Sequence, residues 1–202
     1  MKLGIFGGTF DPIHMGHVLI TEIVRETLQL ERVLFVPAAD PPHKQNQKKT
    51  PAHHRKKMVK LAIADNPNFD LSEIDLNRPG PHYSVDTVAL IRKQYALPAE
   101  NCFFIIGGDS LDDLPTWHNP RKLITLCRLA VVHRPGYRPN VTSLEHDIPN
   151  LSKQIDWIPM ESAIDLSSSV IRTRVATSRS IRYQVPEPVR NYIAQHRLYL
   201  EL

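Results

Sequence analysis

The sequence has little that would tie it to a membrane, a disulfide framework or a redox centre. No apolar run approaches the roughly 20 residues of a membrane helix, and Met1 to Phe10 lacks the longer apolar stretch of a signal peptide. A soluble, unexported, cytoplasmic chain with no membrane partner is the expectation. Only two cysteines, Cys102 and Cys127, occur in 202 residues, and both adjoin apolar strand-like runs. A lone pair gives neither a zinc spacing nor a disulfide framework, so buried core thiols are expected. Two nucleotide fingerprints are also missing. There is no G-x-G-x-x-G and no glycine-rich loop ending in Lys-Ser or Lys-Thr, so neither hydride transfer nor γ-phosphoryl transfer is indicated. No nucleophilic catalytic triad is visible. One stretch lacks a whole charge class: between Asp40 and Asp65 there is no acidic residue.

What is present is ordinary for a packed globular chain. Hydrophobic residues make up 42% and charged residues 23%, which supports a core and argues against wholesale disorder. The length suits one compact domain over residues 1–202. A formal charge of +4 suits anionic partners without choosing among nucleotides, nucleic acid and lipid headgroups.

Strand-like and helix-like patterns alternate along the chain. Lys2 to Phe6 reads as a buried strand running into Gly7 and Gly8, and Met15 to Leu30 carries Leu19, Ile20, Ile23, Val24 and Leu28 at helical spacing. Val33 to Val36, Phe69 to Ile74, Cys102 to Ile106, Leu129 to Val132 and Asp156 to Ile158 read as further strands. Pro51 to Ala64, Ser84 to Tyr95, Ser168 to Ala176 and Pro186 to His196 read as helices, Pro186 and Pro188 suiting the last one's first turn. Alternation of this kind predicts an α/β fold with a parallel sheet. Pro37 to Lys49 and Arg134 to Asn150, rich in proline and polar residues, read as loops, the first a candidate for movement.

In open parallel sheets ligands collect beyond the carboxyl ends of the strands. Four segments, Gly7 to His17, Pro37 to Lys44, Gly107 to Trp117 and His133 to Tyr137, are therefore expected to converge. The first, GGTFDPIHMGH, joins a strand to a helix; its glycines let backbone approach a ligand, and the helix start offers N–H groups and a positive dipole to a phosphate. His14 and His17, three apart, fall on one helix face and can donate to phosphoryl oxygens. Metal ligation by this pair would need further ligands, and Asp11 is the one neighbour available, so no protein-bound metal is expected.

The segment resembles the T/H-x-G-H signature of the nucleotidyltransferase superfamily, with Gly7, Gly8, Thr9, Phe10, Asp11, Pro12, His14, Gly16 and His17 all in place. Over essentially its whole length the chain further resembles the bacterial nicotinate mononucleotide adenylyltransferases. The pieces are PPHK at Pro41 to Lys44, His54 and Arg55, YSVDT at Tyr83 to Thr87, GGDS at Gly107 to Ser110, Trp117, HRPGY at His133 to Tyr137 and SSSVIR at Ser167 to Arg172. It departs from the pattern mildly at Ser169 and Leu166, and more at His82, where a small hydroxyl residue is usual.

The resemblance implies a Rossmann-like open parallel sheet with helices on both faces and a small helical C-terminal part. It also implies transfer of AMP from ATP, bringing Mg²⁺ with it, to nicotinate mononucleotide. His14, His17, Lys44 and Arg172 would be catalytic. Gly7, Gly8, Thr9, Phe10, Gly16, His17, Gly107, Asp109, Arg134, Ser168, Ser169 and Arg172 would bind ATP. Gly8, Lys44, Tyr83, Ser84, Thr87 and Trp117 would bind the nicotinate nucleotide, the indole stacking on the pyridine ring. Nicotinamide mononucleotide or another phosphate-bearing acceptor stays open as substrate, and a homo-oligomer is allowed. A rival of another class is an RNA-binding or non-catalytic nucleotide-binding protein using the basic run Lys44, Lys48, Lys49, Arg55, Lys56, Lys57 and Lys60. The histidine pair would then lack a purpose, so no nucleic-acid partner is expected.

Overall fold

The computed structural model describes residues 1–39, 49–133, 139–160 and 166–201. Six strands form one sheet, β1 (Leu3–Gly8), β2 (Arg32–Pro37), β3 (Phe69–Leu71), β4 (Cys102–Gly107), β5 (Arg128–His133) and β6 (Ile155–Pro159). Every pairing is parallel, in the order β3-β2-β1-β4-β5-β6. The order reverses between β1 and β4, the place where an open parallel sheet leaves a crevice for a ligand.

Period-two alternation assigns each strand residue to a face. Val33 and Phe35 of β2, Phe103 and Ile105 of β4, and Ala130 and Val132 of β5 pack with α1 (Met15–Leu28), α2 (Ala52–Ala62), α7 (Ser168–Ala176) and α8 (Glu187–Gln195). Their neighbours Leu34, Val36, Phe104, Ile106, Leu129 and Val131 join Leu3 and Ile5 on the opposite face. There they meet α3 (Ser84–Tyr95), α4 (Gly108–Asp112) and α5 (Pro120–Leu126). Strands covered on both faces are continuous apolar runs, which is why β2, β4 and β5 were legible as strands.

Three expectations need correction. The strand at the N-terminus does not stop at Phe6: Gly7 and Gly8 pair with Val36 and Pro37, so the glycines end the strand and the turn begins at Thr9. Residues 69–74 do not form a six-residue strand. β3 is an edge strand ending at Leu71, because Ser72 still donates to Phe35 O (2.9 Å) but the chain then turns through Glu73 to Leu76. Within Arg134 to Asn150, expected as loop, α6 (Val141–Asp147) forms, and the Asn140 side chain accepts the Ser143 N–H at its start (3.1 Å). Both cysteines are buried as expected, and burial pushes the Cys102 thiol up to about 12.

Candidate active site

β1 delivers the chain at Gly8 to the crevice, and the next residues are locked by aromatic packing. Phe10 adopts φ 50°, a left-handed conformation that costs a non-glycine residue on the order of 1 kcal/mol. Its ring offsets that cost by burial against Phe6 (centroids 5.6 Å), Phe35 (5.9 Å) and His17 (5.2 Å). A Cβ on Gly8 would lie 3.0 Å from that ring, so the second glycine is set by close approach. Phe10 thus contributes its side chain to the core and only its backbone to the loop.

The histidine pair is built differently from two residues on one helix. His14 precedes α1 in extended conformation, φ −142° and ψ 170°, and His17 sits in the first turn. Their rings nevertheless stack, with centroids 3.6 Å apart and planes at 23°. The His14 N–H donates to Nδ1 of His17 (3.2 Å), so a neutral His17 carries its proton on Nε2 and is a donor there. A Cβ on Gly16 would come within 3.1 Å of His14 Nδ1, so this glycine admits the stacked ring.

His14 is 5% exposed, and burial lowers its pKa from 6.5 to about 4. An unfolded chain takes up this proton near pH 6.5 while the folded one does not until near pH 4. Stability contributed by the neutral ring is therefore complete above about pH 6.5 and lost as pH falls toward 4, levelling off below that. The expected loss is about 3 kcal/mol in the ligand-free protein. Urea midpoints between pH 7 and 4.5 measure it; an equally steep fall in His14→Gln would show that another group is responsible.

Buried polar bonds hold this loop to distant parts of the chain. The Asp11 carboxylate accepts from Tyr199 Oη (2.7 Å) and from the Thr50 N–H (3.0 Å), both oxygens thus serving structure. Burial, then the Asp11 charge, pushes the Tyr199 phenol up. Arg172 donates to the Asp11 carbonyl (2.8 Å) and to Ser169 Oγ (3.3 Å), and Ser168 Oγ donates to the Pro12 carbonyl (2.9 Å). Ser167 caps α7, accepting the Val170 N–H (3.2 Å). Arg55, 1% exposed, donates to the carbonyls of Thr9 (2.8 Å), Ala38 (2.7 Å), Ala39 (3.2 Å) and Thr50 (2.9 Å).

Beyond the carboxyl ends of β1 and β4 lies a cavity of about 320 Å³. Its floor is Gly7, Gly8, Thr9 and Gly107, and its walls include Tyr83, Ser84, Thr87 and Trp117. Trp117 meets Phe104 edge to face (6.1 Å, 87°), which fixes the indole, and Tyr83 stacks on His118 (4.1 Å, 22°). The start of α3 stands on the wall at Ser84; in its first turn the Asp86 and Thr87 amides donate to Tyr83 O (3.1 Å each), which leaves those of Ser84 and Val85 for a ligand. Thr87 is less available than its position suggests. Its N–H goes to Tyr83 O (3.1 Å) and its hydroxyl to both oxygens of Asp75 (2.9 Å each).

The predicted residues thus divide. Gly7, Gly8, Thr9, Gly107, Tyr83, Ser84, Thr87 and Trp117 share the first cavity. Arg172 lines a second, of about 590 Å³, with Asp11, Lys49 and Arg197. His14, Gly16 and His17 form the helix start and line neither; Asp109 is exposed in α4. Lys44 and Arg134, with the whole of PPHK and all of HRPGY except His133, lie outside the described residues. The basic run is not one surface: Arg55 is interior and Lys56 pairs with Glu73 (2.7 Å). Sequence reasoning passed over Asp75, Arg78, His118 and Tyr199 as site residues. For His118, adjacency to Trp117 was a usable signal; the others are defined by partners remote in sequence.

A doubly covered parallel sheet with a glycine and histidine loop at its switch point defines an α/β nucleotide-handling protein. The chain belongs to the cytidylyltransferase-like family, whose model matches residues 5–174. It is 48% identical over 198 residues to the "Probable nicotinate-nucleotide adenylyltransferase" of Thermomicrobium roseum, covering 98% of this chain and 91% of that one. It is 44% identical to the protein of the same name from a Roseiflexus species, covering 98% and 97%. The fold matches Plasmodium falciparum nicotinic acid mononucleotide adenylyltransferase complexed with NaAD, with a TM-score of 0.79, 19% identity and 98% coverage of both chains.

Proposed function

We propose that the protein transfers AMP from ATP to nicotinate mononucleotide, giving deamido-NAD and pyrophosphate, as a cytoplasmic step of NAD biosynthesis. The observation that carries this reading is the cavity at the ends of β1 and β4, with the Trp117 and Tyr83 rings on its wall beside an α3 start. An aromatic wall suits a pyridine ring and a helix start suits its carboxylate.

The acceptor phosphate needs no protein base, because its second pKa near 6 leaves it largely dianionic at neutral pH. One of its oxygens attacks the α-phosphorus of ATP, and the bond from that phosphorus to the oxygen bridging toward the β-phosphate breaks. Pyrophosphate leaves with both electrons of that bond. Mg²⁺ enters bound to ATP, as part of that substrate. The protein's task is to align two anions and meet charge in the transition state. Support for His17 as principal donor is its Nε2 proton, fixed by the bond its Nδ1 accepts. His14 keeps the neutral partner ring stacked upon it, and Arg172 and Lys44 are assigned to the phosphates. Gly7, Gly8, Thr9, Gly107, Asp109, Arg134, Ser168 and Ser169 are assigned to ATP, with the backbone of Phe10 and Gly16. Tyr83, Ser84, Thr87 and Trp117 are assigned to the nicotinate nucleotide, Thr87 acting as support beneath the ring.

The test is pyrophosphate release with MgATP and, separately, nicotinate mononucleotide, its amide, and phosphopantetheine. Release with the acid mononucleotide above the other two is expected. Release with none of the three would overturn the reading.

A further inference from the structure

Among the described residues lining the first cavity there is one carboxylate, Asp75, and no lysine or arginine. That is an awkward wall for a ligand bearing its own carboxylate. Asp75 is 4% exposed and lies within the turn after β3. Arg78 answers it: Nε donates to Oδ1 (3.0 Å) and a terminal nitrogen lies 2.9 Å from the same oxygen. Thr87 Oγ1 donates across both carboxylate oxygens (2.9 Å each) and accepts from Arg78 (3.3 Å), closing a three-residue network. Arg78 itself lines no part of this cavity. It meets the wall through Asp75 and Thr87.

We infer that Arg78 is a specificity-determining residue, which neutralises Asp75 behind the pyridine pocket and so lets the pocket accept an acid in preference to an amide. The inference rests on the proposed function and deepens it. With Arg78 in place, the Asp75–Arg78 pair has no net charge to oppose a ligand carboxylate, and Oδ1 of Asp75 already accepts from Arg78 and Thr87. Without Arg78 the same carboxylate would repel a nicotinate group and offer an acceptor to the NH₂ of a nicotinamide group. Discrimination of this sort comes as much from what the wrong ligand meets as from what the right one gains. The arginine also braces the loop into α3, donating to Pro81 O (3.4 Å) while its own carbonyl lies 3.1 Å from His82 Nε2. A bracing role alone would affect both mononucleotides alike.

The experiment is the ratio of kcat/KM for nicotinate mononucleotide to that for nicotinamide mononucleotide, in wild type, Arg78→Met, Arg78→Lys, Asp75→Asn and the Asp75→Asn/Arg78→Met double variant. Arg78→Met is expected to lower the acid-to-amide ratio by about tenfold or more, the effect of one uncompensated charge at close range. Arg78→Lys and the double variant are expected to stay within about threefold of wild type, since one keeps the compensating charge and the other removes the charge it compensates. An unchanged ratio in active Arg78→Met, or a ratio still depressed in the double variant, overturns the inference. Should Arg78→Met not fold, the remaining variants decide. A ratio held in Arg78→Lys and held or raised in Asp75→Asn supports it, and a fall in either overturns it. Wild type inactive on both mononucleotides would overturn the proposed function and this inference together, whereas an unchanged ratio overturns the inference alone.

Discussion

His17→Ala is expected to lower turnover on the order of 10² to 10³ fold, the usual loss when one preorganised donor to a developing oxyanion is removed. The structure makes the assignment specific to one nitrogen. Nδ1 of His17 is occupied by the His14 N–H at the start of α1, so in the neutral ring the proton sits on Nε2, the nitrogen assigned to a phosphoryl oxygen. Alanine removes that donor together with the stack on His14 and the edge contact with Phe10, so some stability will go with it. His17→Asn separates the two effects. An asparagine oxygen at this position still reaches back to the His14 amide in the manner of a capping side chain, while nothing replaces Nε2. Both variants are expected to show a large fall in kcat, and Asn to unfold closer to wild type than Ala. Steady-state pyrophosphate release at saturating ATP and acceptor, beside a thermal melt, measures this. A folded His17→Asn turning over at the wild-type rate would remove His17 from the mechanism.

Arg55→Met is expected to cost about 3–5 kcal/mol of stability, comparable to stripping one partner from a buried charged network. That is a large share of the roughly 5–15 kcal/mol that holds a domain together. The guanidinium is interior, and burial lowers its pKa while Asp11 opposes that. Its donors satisfy carbonyls from three separate stretches, Thr9 in the glycine and histidine loop, Ala38 and Ala39 after β2, and Thr50 before α2. Methionine fills similar volume but leaves those carbonyls without a donor, and an unmade buried hydrogen bond costs more than a made one contributes. Arg55→Lys is expected to recover only part of the loss, because an ammonium presents its donors from a single point and cannot span the fork. Urea denaturation gives the comparison. A wild-type midpoint in Arg55→Met would show that water replaces the guanidinium and that the network contributes nothing.

Much of this architecture was readable because it depends on local pattern. Val33 to Val36, Cys102 to Ile106 and Leu129 to Val132 are apolar on consecutive positions, as strands covered on both faces must be, and all three appear as strands within a residue or two of the expected bounds. α3 spans Ser84–Tyr95 and α7 spans Ser168–Ala176 as expected, the second because hydroxyl residues at its start announce a cap. Short helices were harder. α4, α5 and α6, of five to seven residues, are too brief for helical periodicity to show against the surrounding loops. The glycine and histidine segment was legible as a loop joining a strand to a helix, although its hydrogen bonding was not. The sequence suggested two histidines on one helical face; the backbone places His14 before the helix and stacks the rings by a different route.

By itself the sequence determined the class of fold, the glycine and histidine loop that joins β1 to α1, and the family, all of which follow from residues close together in the chain. Tertiary structure decided which polar residues serve the site from a distance. Tyr199 reaches Asp11 across 188 positions, Arg172 reaches the Asp11 carbonyl across 161, and Thr50 is drawn to the same carboxylate across 39. Lys56 and Arg55 are neighbours in a basic run, yet one is a surface ion-pair partner and the other an interior clamp. The physical reason is that burial of a charge is set by which donors and acceptors the topology brings within hydrogen-bond reach, and no local pattern encodes that. The same reason hid Asp75 and Arg78: a pair three residues apart looks like any surface ion pair until the fold places Asp75 on the wall of the aromatic pocket with Arg78 behind it.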